Sequence, residues 1–154
     1  NLEYKIVDDE LWLKSKTQVM GYLNTSMDSF TKDGWFKTGD LVETTNDGYL
    51  KLIGRNKEVI NVGGEKVLPT EVESVILSMD EINDVLVYGE QNQITGQSVM
   101  ADIVPVNKIN SREGKKAIRL FCKGKMDNYK IPTKVYIVEK LNIGDRFKKI
   151  RRKV

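Results

Sequence analysis

The stretch Val59-Ile60-Asn61-Val62-Gly63-Gly64-Glu65-Lys66-Val67-Leu68-Pro69-Thr70-Glu71-Val72-Glu73 holds the change of texture that decides the fold. Val59-Ile60-Asn61-Val62 reads as a strand, and the glycine pair ends it. Thr70-Glu71-Val72-Glu73 has capping-box spacing: the hydroxyl can accept from the third amide while the glutamate reaches back. Val72, Val75, Ile76 and Met79 then recur at i, i+3, i+4 and i+7, which predicts an amphipathic helix. Downstream, Val85-Leu86-Val87-Tyr88 and Val99-Met100-Ala101-Asp102-Ile103-Val104 read as strands joined by a polar loop. Ser111 can cap a second helix with Ile118, Phe121 and Cys122 on one side. Pro132 closes that region, and Val135-Tyr136-Ile137-Val138 is a last strand. From about residue 58 the order is therefore β-α-β-β-α-β, a small α+β domain.

Upstream the texture is all-β. Glu10-Leu11-Trp12-Leu13-Lys14 is a compact apolar piece, and Gly34-Trp35-Phe36-Lys37-Thr38-Gly39-Asp40 is too glycine-interrupted for a helix. Leu41-Val42-Glu43-Thr44 and Tyr49-Leu50-Lys51-Leu52-Ile53 flank Asn46-Asp47-Gly48, a hairpin signal because Asp-Gly accepts positive φ. A polar boundary falls at Arg55-Asn56-Lys57. Residues 1–55 are thus expected to form a small all-β piece, and residues 56–154 a compact second domain.

The chain has 154 residues, 40% apolar and 31% charged, an ordinary globular composition. No apolar run approaches the ~18 residues of a membrane span. Asn1-Leu2-Glu3-Tyr4 has no signal-peptide layout. Cys122 is the one cysteine, which suits a reducing compartment, and a cytoplasmic location is expected. With no histidine at all, Ser-His-Asp and Cys-His catalysis and most structural zinc sites are excluded. Any chemistry rests on lysine, arginine, carboxylates and backbone amides. The net charge is +3, but the residues from Leu141 onward hold six cations against Asp145, a local +5 that leaves −2 on the preceding 140.

Within Thr38-Gly39-Asp40, the glycine permits close backbone approach to a ligand and the carboxylate can accept from two neighbouring hydroxyls, as on a ribose; the other reading is an Asx turn into the hairpin. Arg55 can fork onto a carboxylate, a phosphate or a sugar, or form a surface ion pair worth little. Gly63-Gly64-Glu65-Lys66 is either an amide nest for an anion or a tight turn. It is not a Walker loop, because no Gly-Lys-Ser/Thr follows at the required spacing.

Taken in order, Asp33-Gly34-Trp35-Phe36-Lys37-Thr38-Gly39-Asp40, Asp47-Gly48-Tyr49-Leu50, Gly54-Arg55-Asn56-Lys57-Glu58-Val59-Ile60 and Gly63-Gly64-Glu65-Lys66-Val67-Leu68-Pro69-Thr70-Glu71-Val72-Glu73 strongly resemble the adenylate-forming superfamily. That superfamily includes acyl- and aryl-CoA synthetases, firefly luciferase and peptide-synthetase adenylation domains. Glu10-Leu11-Trp12-Leu13, Met20-Gly21-Tyr22-Leu23 and Asp127-Asn128-Tyr129-Lys130-Ile131-Pro132 extend the resemblance over essentially the whole chain. It implies that residues 1–55 are the small, barrel-like end of a large N-terminal adenylation domain and that residues 56–154 are the mobile C-terminal domain. Family members are several-fold longer. Their phosphate-binding loop and acid pocket lie in the large domain, so this chain is not expected to be active alone.

Residue by residue, the resemblance puts Asp40 and Arg55 on the ribose of ATP or AMP and Lys57 at the hinge of the small domain. It puts Gly63, Gly64 and Lys66 on the loop that receives the thiol acceptor, coenzyme A or a carrier-protein phosphopantetheine. A glycine at 64 suits a tunnel that any side chain would narrow. The family's final Pro-x-Thr-x-x-Gly-Lys-x-x-Arg becomes Leu141-Asn142-Ile143-Gly144-Asp145-Arg146-Phe147-Lys148-Lys149-Ile150-Arg151-Arg152. Counting without gaps puts Lys148 on the catalytic position; matching Lys-Ile-x-Arg picks Lys149. Mg²⁺ and most of the ATP contacts fall to the missing N-terminal part, no metal ligand is expected in this chain, and the implied substrate is a carboxylic acid. The alternative is a standalone binding module using its basic tail on nucleic acid or an acidic protein. Only Phe147 interleaves with that tail's cations, which offers no stacking surface.

Overall fold

The structure, a computed structural model, describes residues 2–19 and 28–142. The Met20-Gly21-Tyr22-Leu23 stretch, Lys148, Lys149 and the rest of the basic tail lie outside the described residues. The chain divides into two compact units, Asn1–Lys57 and Glu58–Val154.

The first unit is an antiparallel meander in the order β1 (Leu2–Val7), β2 (Glu10–Ser15), β3 (Phe36–Thr44), β4 (Leu50–Arg55). Asp8 and Asp9 close the β1–β2 hairpin with both φ values positive, the two-residue turn whose twist matches the strands. The Asn46-Asp47-Gly48 hairpin forms as its signal implies, closed by the Thr45 N–H on the Tyr49 carbonyl at 2.8 Å. The glycine-interrupted segment enters β3 at Phe36, with Gly34 and Trp35 before it, and the register of β3 on β4 shifts between Leu41 and Val42. In register across the sheet, Trp12 lies between Lys5 and Lys37, whose ammonium groups stand 4.8 and 5.3 Å from the ring centroid.

In the second unit β5 (Ile60–Val62) and β6 (Glu65–Val67) form a short hairpin that leads into α1 (Pro69–Leu77). The long antiparallel pair β7 (Ile82–Asn92) and β8 (Gly96–Pro105) follows, then α2 (Ser111–Cys122) and β9 (Lys134–Ile137). β9 returns parallel to β8, as a helical crossover requires. The result is the α+β architecture expected, with a hairpin where a single strand was read before α1. One face of the sheet packs Val85, Val87, Val99, Ala101 and Ile103 against Val72, Ile76, Ile118 and Cys122 of the helices. The other buries Leu86, Tyr88, Met100 and Leu141, with the Tyr88 hydroxyl donating to Asp102 Oδ1 at 3.0 Å.

Both helices begin earlier than their hydroxyl signals imply. α1 has Leu68 at its N-cap and Pro69 at the first helical position, with no side-chain cap. Proline suits that place because its missing N–H would have had no partner in the helix. Glu73 also works away from its own helix. It is buried and accepts from the Val87 N–H at 2.8 Å, tying α1 to the sheet. At α2 the cap is Asn110, whose side chain accepts from the Arg112 and Glu113 amides, so Ser111 is already helical.

Candidate functional site

In the first unit β3 and β4 are in register at Asp40 and Arg55, so residues fifteen positions apart become neighbours. Arg55 Nε lies 2.8 Å from Asp40 Oδ1. The contact is ionic rather than an aligned hydrogen bond, because Oδ1 has no hydrogen-bond donor. The carboxylate keeps acceptor capacity for another group. Asp40 is a strand residue, not an Asx turn. Its backbone is fixed by the Thr38 hydroxyl, which accepts from the Asp40 N–H at 3.0 Å and donates to the Leu11 carbonyl at 2.7 Å. Gly39 takes φ +73°, and its N–H donates to Glu10 Oε1 at 2.8 Å. Glu10 and Thr38 therefore hold the aspartate's backbone; both stand in stretches the sequence singles out, but the pairing of β2 with β3 that gives them these roles is long-range. Thr38, Gly39, Arg55, Asn56 and Lys57 line a cleft of about 410 Å³. Lys57 sits there in a 3₁₀ turn, Asn56–Glu58, where the first unit ends.

In the second unit Gly63 and Gly64 are the two central residues of the β5–β6 hairpin, since Val62 pairs with Glu65. Their φ values of +60° and +94° are those of a turn closed to most L-residues. No atom outside the adjoining residues lies within 4 Å of where either Cβ would stand. The glycines are thus required by backbone conformation and leave the surface above them open. The Gly63 N–H donates to the Thr95 carbonyl at 2.8 Å, so the segment is a tight turn with that amide already used. Lys66 stands exposed on β6, in register with Asn61.

A groove of about 630 Å³ runs beside α2. Lys115, Lys116, Arg119 and Lys123 line it, with Leu120 and Ile131 as apolar floor. Among the described residues none of these four cations makes an ion pair. Below the groove, Lys130 of the 3₁₀ turn Asn128–Lys130 bridges to Glu71 of α1 at 2.6 Å and to Asp127 at 3.5 Å. The hydrogen bond to Glu71 holds the Lys130 ammonium above its ordinary pKa of 10.5, against the opposing effect of burial. No group of three or more Asp, Glu or Cys side chains among the described residues is placed to hold a metal ion, and no described helix is long and apolar enough to cross a membrane.

The structure therefore sets Arg55 and Lys57 on one cleft, with Asp40 held against Arg55, and puts Gly63, Gly64 and Lys66 on one hairpin of the other unit. Lys148 and Lys149 lie outside the described residues.

Known proteins match this arrangement over nearly the whole chain. A 2-succinylbenzoate–CoA ligase of Listeria monocytogenes is 37% identical over 142 residues, covering 90% of this chain and 30% of the relative. An oxalate–CoA ligase of Arabidopsis thaliana is 37% identical over 112 residues, covering 70% of this chain and 21% of its own length. The crystal structure of o-succinylbenzoate CoA synthetase from Bacillus subtilis, in complex with its acyl-adenylate intermediate, superposes with a TM-score of 0.82 at 30% identity. It covers 97% of this chain and 33% of that one. The chain thus spans a third or less of the length of these relatives. Its residues 71–148 match the AMP-binding enzyme C-terminal domain, and it belongs to that family.

Proposed function

We propose that this chain supplies the C-terminal portion of an AMP-forming carboxylic acid–thiol ligase. The observation that carries the reading is the Asp40–Arg55 pair, which the fold sets side by side at the edge of an open cleft. A carboxylate with free lone pairs beside a guanidinium suits a ribose diol: the hydroxyls donate to Asp40 while Arg55 stays charged and fixes the carboxylate.

The reaction has two halves. A substrate carboxylate oxygen attacks the α-phosphorus of ATP, the α–β phosphoanhydride breaks, and pyrophosphate leaves with its electron pair. A thiol then attacks the acyl carbonyl, the carbonyl–oxygen bond to AMP breaks, and the thiol proton passes to solvent. Lys148, with Lys149 as the alternative, neutralises charge in the first half. The second unit turns about Lys57 between the halves and brings the Gly63-Gly64 turn to the site, a domain closure rather than new chemistry. Mg²⁺, which screens the phosphates, belongs with the ATP loop and acid pocket of the large domain.

Coenzyme A is the better acceptor for this surface. Four cations on and just past α2, without ion pairs among the described residues, suit its phosphates, and the glycine turn gives the pantetheine arm passage. A cytoplasmic location fits both co-substrates. A nucleic-acid role leaves the ordered motifs and the family match without explanation.

The test uses the full-length protein. Pyrophosphate release across a panel of carboxylic acids identifies the substrate, and no release with any acid would overturn the reading. Lys148→Ala should depress pyrophosphate release by about 10²–10³-fold while sparing thioester formation from supplied acyl-adenylate. Normal release from that variant moves the role to Lys149. Pantetheine, which lacks the phosphates of coenzyme A, should show a KM raised about tenfold if the α2 groove is used. Equal KM values would remove the groove from the reaction.

A further inference from the structure

We propose that Gln97 is a positioning residue that seats the Gly63-Gly64 hairpin, an inference that rests on the reading of that hairpin as the thiol-acceptor loop. Ile60 and Val67 root the base of the hairpin in the core, but the backbone ladder that ties its turn end to the sheet is short. β5 is three residues long and meets β8 at one register pair, Val62 with Gly96. An isolated two-stranded hairpin is marginal in water. Beyond that single pair, side chain and turn continue the ladder. The Gly63 N–H donates to the Thr95 carbonyl at 2.8 Å, and the Asn61 N–H donates to Gln97 Oε1, also at 2.8 Å. The Gln97 amide thus takes the place that a backbone carbonyl would hold in a longer strand.

The surroundings are shaped for it. Thr95 Oγ1 donates to the Gln97 carbonyl at 2.6 Å, linking the two residues that receive the hairpin's amides. Gly89 on β7 supplies the room. A Cβ there would lie 3.1 Å from Gln97 Nε2 and 3.1 Å from Ile60 Cγ2. The constraint at Gly89 is one of space rather than backbone conformation, since its φ lies outside the left-handed region. A methyl there would press the Gln97 amide and the Ile60 side chain to give by a few tenths of an ångström. The position of the turn is therefore set from β7 and β8, by residues that do not touch the thiol.

Two readouts on the full-length protein test this. Amide exchange over residues 61–66 reports the anchor without any substrate. The KM for coenzyme A, set against pyrophosphate release with the acid that supports it, reports the function. Gln97→Ala should speed exchange at Asn61 about fivefold, the net worth of one hydrogen bond. It should raise the coenzyme A KM about three- to tenfold and leave pyrophosphate release within about twofold, since a displaced loop harms only the half that uses it. Gln97→Glu keeps the acceptor oxygen and should restore both readouts; Gly89→Ala should move both in the direction of Gln97→Ala. Unchanged exchange in Gln97→Ala, or no restoration by glutamate, overturns the inference. Faster exchange with an unchanged coenzyme A KM keeps the anchor and removes the thiol-acceptor role from the turn, so the parent reading fails instead.

Discussion

The two units reach order by different means. In Glu58–Val154 both faces of the sheet are lined by buried side chains, and Val67, Val72, Ile76, Val85, Val87, Ala101, Ile103 and Cys122 are essentially sealed from solvent. Among the described residues of Asn1–Lys57 only Leu41 and Val42 are buried. There, polar anchors and cation–aromatic contacts hold what the core holds elsewhere. Lys5 stands over both Trp12 and Trp35, at 4.8 and 4.4 Å, and Thr38 and Glu10 fix the backbone around Asp40. A core-built unit can carry a mobile element as one body, whereas a meander built on polar contacts can present a carboxylate without sealing it from a ligand.

That contrast can be broken most decisively in the cores. Ile103→Ala should cost the second unit about 2–5 kcal/mol in urea unfolding, and Leu52→Ala in the meander, a side chain 61% exposed, under about 0.5 kcal/mol. Similar losses would abolish the distinction. Gly64→Ala should come next, at about 1–2 kcal/mol for forcing a side chain into the left-handed region. Its activity loss should fall on thioester formation and spare pyrophosphate release. Asp40→Asn should weaken nucleotide binding about tenfold in the full-length protein while shifting stability by under about 1 kcal/mol, because a partly exposed ion pair contributes little to folding. A large loss of stability would mean that Asp40 is structural.

The smallest effect is a pH dependence. Lys130 has a folded pKa raised above 10.5, chiefly by its hydrogen bond to Glu71. Its contribution is therefore complete below the ordinary lysine value and is lost as pH climbs through the folded one. The stability difference between wild type and Lys130→Met should shrink between about pH 10 and 12. A difference that stays constant across that window would assign the effect to packing alone.

Much of the second unit was legible because its signals are local and agree with one another. Val72 and Ile76 on α1, Ile118 and Cys122 on α2, and the run from Val99 to Ile103 fall in the core where their periodicity puts them. Strand β1 was missed although Leu2, Tyr4 and Ile6 alternate with Glu3 and Lys5, the period of a strand; those apolar side chains stay exposed, so no core position marked it. β6 was missed for another reason: three residues between a glycine turn and a proline carry no period. The helix starts misled because Leu68-Pro69 and Asn110 outcompete the hydroxyls that follow them. The tie from Glu73 to the Val87 amide had no local signal, because that partner lies fourteen positions away on β7. Resemblance, rather than propensity, brought Asp40 and Arg55 forward as a pair; the structure adds the register that joins them. Gln97 escaped notice because the amide it receives lies 36 positions earlier.

Cys122 turns the comparison into something that can be watched. The sequence contains this one thiol, which is fully enclosed in the helix-covered core, with burial pushing its pKa up. A thiol that is neither exposed nor ionised does not meet an alkylating reagent until the surrounding structure opens. Within these 154 residues, labelling at Cys122 therefore clocks the opening of the second unit, with no signal from the meander. Nature has placed a single-site stopwatch in one half of the chain.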